Sequence, residues 1–91
     1  MLRTLEELIT IIRERKVSSL DKSYTAKLLK DNKLSISKVR EEIEELIESI
    51  EKNSNKIHES ADVLYHLMVL LEANGIKIED VMIELKKRQK K

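Results

Sequence analysis

The chain has 91 residues, 38% of them charged and 41% hydrophobic, which is the composition of a soluble globular domain rather than a disordered segment. One Gly and no Pro, Trp or Phe leave a β-sandwich or barrel without its tight turns and strand-forming aromatics, and the abundance of Leu, Ile, Glu and Lys points to an all-α protein. Eighteen basic against seventeen acidic residues give a formal charge of +1 and no global electrostatic footprint for nucleic acid, while the absence of Cys removes disulfides, thiolate metal sites and Cys nucleophiles.

Leu2, Leu5, Leu8, Ile9 and Ile12 recur at helical spacing, with Arg3, Glu6, Glu7 and Arg13 between them. They predict a first amphipathic helix over residues 2–15. Residues 16–22 break the period and read as a loop. Ser23 is placed to cap a short second helix that carries Leu28 and Leu29 and ends near Asn32. Ser35 or Ser37 is read as the cap of a third helix, whose apolar stripe is Ile36, Val39, Ile43, Leu46, Ile47 and Ile50. Asn53-Ser54-Asn55 ends it and caps a fourth helix from about Lys56 to Asn74. Gly75 falls where a left-handed helix terminus wants a glycine. Ile78, Val81, Met82 and Leu85 mark a last helix. Its basic end, Lys86-Lys87-Arg88-Gln89-Lys90-Lys91, reads as a solvated terminus suited to the helix dipole.

The expected architecture is four to five helices in an antiparallel bundle, one domain over residues 1–91. The third and fourth helices are joined by a few residues and should form an αα-hairpin. A chain this short buries only about 60% of the surface it exposes when unfolded, so dimerisation is expected to complete the bundle. Met1 leads straight into the amphipathic pattern, with no signal peptide visible. The longest apolar stretch, residues 63–71, is interrupted by His66 and is too short to span a bilayer. The cytoplasm is the expected compartment, with neither membrane nor nucleic acid as a partner.

The acidic residues of the hairpin do not all read as surface. At about 100° per residue, Glu41 falls roughly opposite the stripe of the third helix, whereas Glu42 falls at its margin beside Val39 and Leu46. Glu45 lies one turn further on the same side and Lys38 one turn before. The fourth helix is apolar almost all round from Ala61 to Leu71, yet Glu59, Asp62 and His66 form one polar stripe on it. Carboxylates on so apolar a helix are rarely buried unless they are paired or bind a cation. The pattern is therefore Glu42-x-x-Glu45 facing Glu59-x-x-Asp62. Four oxygen ligands with no Cys and at most one His favour Mg²⁺ or Mn²⁺ over Zn²⁺. The competing account is a set of salt bridges across a dimer, in which His66 would be an interface residue. A di-iron bundle needs Glu-x-x-His on two helices, a spacing that His58 and His66 do not supply. Tyr65 and Met68 read as core.

Three blocks resemble the phosphoribosyl-ATP pyrophosphatase family of histidine biosynthesis, within the MazG-like all-α nucleoside triphosphate pyrophosphohydrolases. They are Ser23-Tyr24-Thr25-Ala26-Lys27-Leu28-Leu29, then Lys38-Val39-Arg40-Glu41-Glu42 with Glu45, then the run from Glu59 through Asp62 and Tyr65-His66 to Leu71. The resemblance covers essentially the whole chain. It implies a helical dimer or higher homo-oligomer that holds Mg²⁺ on Glu42, Glu45, Glu59 and Asp62. It implies hydrolysis of the α–β phosphoanhydride of phosphoribosyl-ATP to phosphoribosyl-AMP and pyrophosphate. Water is then the nucleophile, oriented or deprotonated by Glu41 or Glu45. Lys38 is placed to contact phosphate. Tyr24, Thr25, His66 and the basic end at Lys87 and Arg88 are candidates for the rest of the substrate. Arg40 stands where the family usually has Gly, Ile43 where it has a small residue and Ser60 where it has Ala; none of these removes a ligand. A general house-cleaning nucleotide pyrophosphohydrolase, or a non-catalytic helical dimerisation module, would share much of this pattern. A DNA-binding reading finds no basic recognition helix.

Overall fold

The apolar periodicity resolves into five helices and no strand in a computed structural model that describes residues 2–18 and 22–89. They are α1 (Arg3–Val17), α2 (Tyr24–Lys30), α3 (Asn32–Glu51), α4 (Lys56–Ala73) and α5 (Ile78–Arg88). No helix is long and apolar enough to cross a membrane among the described residues. The α1 helix runs two residues past the expected end, where Lys16 Nζ donates to the Glu72 carbonyl at 2.7 Å and ties the extra turn to α4. Of the expected loop 16–22, residues 19–21 lie outside the described residues.

The start of α3 corrects the expected caps. Neither Ser35 nor Ser37 caps it; Asp31 does, its carboxylate accepting from Leu34 N–H at 3.1 Å. The Asp31 N–H meanwhile donates to the carbonyls of Lys27 and Leu28, so one residue closes α2 and opens α3. Asn32 therefore begins a helix instead of ending one, and Ser35 is buried one turn inside it. Ser23 does cap α2, its hydroxyl accepting from Ala26 N–H at 3.1 Å.

The α3–α4 turn uses two asparagines in the left-handed region, Asn53 at φ 51° and Asn55 at φ 53°. Asn tolerates this conformation better than other side chains do. Asn55 occupies the N-cap of α4 but makes no side-chain hydrogen bond there, so the expected cap is positional only. Gly75, at φ 70°, ends α4 as expected, and the Ile76 N–H reaches back to the Leu71 carbonyl at 2.9 Å.

The α4 helix is central, packing on α1, α2, α3 and α5. Ile12, Leu28, Met68 and Val69 form the buried core, with Leu5, Leu8, Ile9, Leu34, Leu67 and Ile78 around it. The chain leaves much apolar surface open. Ile43, Ile47 and Ile50 on α3, and Ile57 and Leu64 on α4, remain exposed. The α5 helix buries no residue of its own.

Candidate metal centre

A twenty-residue helix followed by a four-residue turn and an eighteen-residue helix can only fold back on itself. This antiparallel hairpin brings the two acidic motifs face to face. Glu42 is the most telling member. It is 8% exposed, and its Oε2 is sealed from solvent without a hydrogen-bond partner. Burial pushes its carboxyl above the ordinary carboxylate range, and the nearby charges of Glu45 and Asp62 push it further. Glu59 repeats the arrangement from the other helix. Its Oε2 is also buried and unpartnered, and burial, then Glu45 and Asp62, raise its pKa. Glu45 makes side-chain contact with both Glu42 and Glu59, which places it at the centre of the row.

Potential ligand atoms form two groups, one on each helix: those of Glu41, Glu42 and Glu45 on α3 lie within 4.8 Å of one another, and so do those of His58, Glu59 and Asp62 on α4. Glu41 stays exposed, as its position on the helical wheel predicts, and binds Lys38 Nζ at 3.3 Å. The sequence pattern did not single out His58. Its Nε2 lies 3.3 Å from Asp62 Oδ2, and the i, i+4 spacing to Asp62 was the available signal. Like charges gathered in a desolvated groove, with buried oxygens left unpartnered, fit a hard divalent cation bound by oxygen donors.

One end of the row is closed by aromatic groups. His66 is buried, and its Nδ1 lies 2.8 Å from the Asp62 carbonyl. A carbonyl only accepts, so Nδ1 carries the hydrogen. In the neutral ring Nε2 then accepts from the Tyr24 hydroxyl, 3.1 Å away. Tyr24 stacks on Tyr65 with ring centres 6.4 Å apart, and the His66 ring stands edge-on to both. Burial raises the Tyr24 pKa, against the opposing charge of Lys38. Thr25 is buried and shares a hydrogen bond with the Tyr65 hydroxyl, so it anchors that ring. Tyr65, expected to be core, is partly buried and packs against the hydrophobic core, and it also forms part of this wall. Tyr24, Thr25, His66 and Lys38 are therefore all brought to the α2 end of the row. Arg88 is not: it binds Glu84 on its own helix at 3.2 Å, and α5 packs on α4 rather than on α2 or α3.

Fold and site together define an all-α protein with E-x-x-E and E-x-x-D motifs opposed on a helical hairpin. The same chain matches the family described as phosphoribosyl-ATP pyrophosphohydrolase over residues 5–89. It is 46% identical to the chloroplastic histidine biosynthesis bifunctional protein of Arabidopsis thaliana, covering 96% of this chain and 34% of that one. It is 45% identical to the bifunctional protein of Pyrococcus furiosus, over 98% of this chain and 43% of the relative. It is also 38% identical to the phosphoribosyl-ATP pyrophosphatase of Haloarcula marismortui, over 93% of this chain and 92% of the relative. The chain thus spans less than half the length of the bifunctional relatives and most of the length of the shorter one. The chain belongs to the phosphoribosyl-ATP pyrophosphohydrolase family.

Proposed function

We propose that the chain hydrolyses the α–β phosphoanhydride of phosphoribosyl-ATP, giving phosphoribosyl-AMP and pyrophosphate, as a step of histidine biosynthesis in the cytoplasm. The observation that carries this reading is the pair of buried, unpartnered carboxylate oxygens on Glu42 and Glu59, in a chain of this family. Glu42, Glu45, Glu59 and Asp62 hold Mg²⁺, with Mn²⁺ as a substitute, and His58 supports the Asp62 carboxylate. When bound, the cation neutralises phosphate charge and stabilises the charge that develops during transfer. The residues themselves orient and move protons. Glu45 contacts both Glu42 and Glu59, so it is committed to the cation shell. Glu41, at the open edge beside Lys38, is left to accept the proton of the attacking water. Lys38 contacts a phosphate of the substrate. The Tyr24–Tyr65–His66 wall takes the base, and Thr25 holds the wall in place.

The test is pyrophosphate release by purified protein, with and without Mg²⁺, from phosphoribosyl-ATP and from a panel of ordinary and damaged triphosphates. Mg²⁺-dependent release confined to phosphoribosyl-ATP is expected. Equal release from the whole panel would instead make the chain a general pyrophosphohydrolase.

The assembly follows from the same helices. A second copy is proposed to cover Ile43, Ile47, Ile50, Ile57 and Leu64, whose exposure would be costly for a monomer. Light scattering should give a dimer or larger at micromolar concentration, and Ile47→Asp should shift it toward monomer. A monomeric wild type would overturn this assembly.

A further inference from the structure

The carboxylate row has two unlike ends. One is the aromatic wall just described. At the other, against the α3–α4 turn, lies an open cavity of about 380 Å³ lined by Glu45, Glu48, Ser49, Lys52, Asn55 and Glu59 among others. Two of these, Glu45 and Glu59, belong to the row, so cavity and row are continuous. The buried, unpartnered Glu59 Oε2 marks their junction.

Resting on the function proposed above, we infer that this cavity is the subsite for the departing pyrophosphate and that Lys52 recognises it. The substrate then lies in a single direction along the hairpin, with its base against Tyr24, Tyr65 and His66 and its terminal phosphates against the turn. The donors suit that end group. Pyrophosphate offers mainly acceptor oxygens and carries several negative charges. Lys52 supplies an ammonium group, held by Glu48 at 2.5 Å. Asn55 caps α4 without a side-chain hydrogen bond, so the first-turn N–H groups of α4 stay open to an outside acceptor. The acidic lining excludes a bare anion. Glu48 is already answered by Lys52, whereas Glu45 and Glu59 need a cation, so pyrophosphate enters chelated to a divalent cation. The opposite end has one ammonium group among the described site residues, that of Lys38, and it is paired with Glu41. Its half-exposed Tyr24 ring, stacked on Tyr65, offers a flat apolar surface to a purine.

The experiment uses the full chain and two probes, pyrophosphate and AMP, each titrated calorimetrically with and without Mg²⁺ and each tested as an inhibitor of turnover. Wild type should bind pyrophosphate only when Mg²⁺ is present. Lys52→Ala should weaken pyrophosphate binding about tenfold and leave AMP binding unchanged. Lys52→Arg should keep most of it. Tyr24→Ala should do the reverse, weakening AMP and sparing pyrophosphate. If Lys52→Ala leaves pyrophosphate binding within about twofold, or weakens AMP instead, the orientation is overturned while the hydrolase stands. If wild type turns over no substrate, both fall together.

Discussion

Glutamates in two parts of this molecule meet opposite fates. At the junction of α1, α4 and α5, Arg13 grips Glu79 with two hydrogen bonds of 2.9 Å and 2.6 Å. That side-chain bond, first among its causes, holds the Glu79 carboxyl down at about 2. Arg13 also reaches Glu72 at 3.4 Å. In the α3–α4 groove, Glu42 and Glu59 have pKa values raised by burial and by each other's neighbours. The chemistry of the side chain is the same; what differs is the supply of cations. The Arg13 clamp is complete within the chain, is exposed to solvent, and contributes little to stability. The groove holds no such partner among the described residues, and the cation proposed above would offset its cost. An unanswered buried charge thus points to function more clearly than a satisfied one does.

The sharpest way to break this comparison is to remove one member of the groove. Asp62→Asn should keep the helical circular dichroism spectrum but cut Mg²⁺-dependent hydrolysis by about 100-fold or more, because a lost ligand charge weakens both cation binding and phosphate stabilisation. Glu44→Gln, on the exposed face of α3, should behave like wild type. Equal effects of the two substitutions would mean that the groove is not the site.

A second test replaces the charge by its neutral isostere and reads stability. Glu42→Gln should raise stability without divalent cation by about 1 kcal/mol, since a buried repelling charge disappears. Mg²⁺ should raise the Tm of wild type, and Glu42→Gln should abolish most of that rise. The pH dependence has a definite sign. The folded pKa values of Glu42 and Glu59 lie above the unfolded value of 4.5. These groups therefore add stability below pH 4.5, and it is lost as pH rises through their folded pKa values. In EDTA, urea midpoints should fall over that rise; in Mg²⁺ they should not. The trend should vanish in Glu42→Gln/Glu59→Gln. A midpoint that climbs steadily with pH in EDTA would show that these carboxylates are not under strain.

The hairpin and its acidic row were readable in advance because both obey one rule, helical periodicity. A 100° step placed Glu42 at the buried margin and Glu41 outside it, and the short Asn53-Ser54-Asn55 turn forced the two motifs together. What failed was local and competitive. Asp31, Ser35 and Ser37 are all acceptable caps by residue type, and choosing between them required knowing that Asp31 also terminates α2. Tyr65 packs against the core as its apolar neighbours imply, and its bond to the Thr25 hydroxyl, from another helix, also joins it to the wall beside His66. Arg88, a candidate substrate contact by its charge, sits on α5, which packs on α4 and not on α2 or α3. The Asp31 cap was a choice among neighbouring residues, whereas the surroundings of Tyr65 and the packing of α5 depend on contacts between distant segments, which carry no local signature.

The smallest expected effect lies on the satisfied side of the comparison. α5 has no buried residue and is anchored by Ile78 in the core fringe and by the Arg13–Glu79 pair. The folded pKa of Glu79, about 2, lies below its ordinary 4.5, so the pair contributes above pH 4.5 and is lost as pH falls toward 2. Arg13→Ala removes that contribution at every pH. Amide hydrogen exchange over residues 78–88 should therefore speed up severalfold in Arg13→Ala at neutral pH, with α3 and α4 unchanged. Hydrolysis should stay within about twofold of wild type, because the ion pairs of Arg13 run to Glu79 and Glu72 and not to the carboxylate row. A loss of turnover as large as that of Asp62→Asn would mean that α5 position is coupled to the groove, and the two regions could no longer be treated as independent.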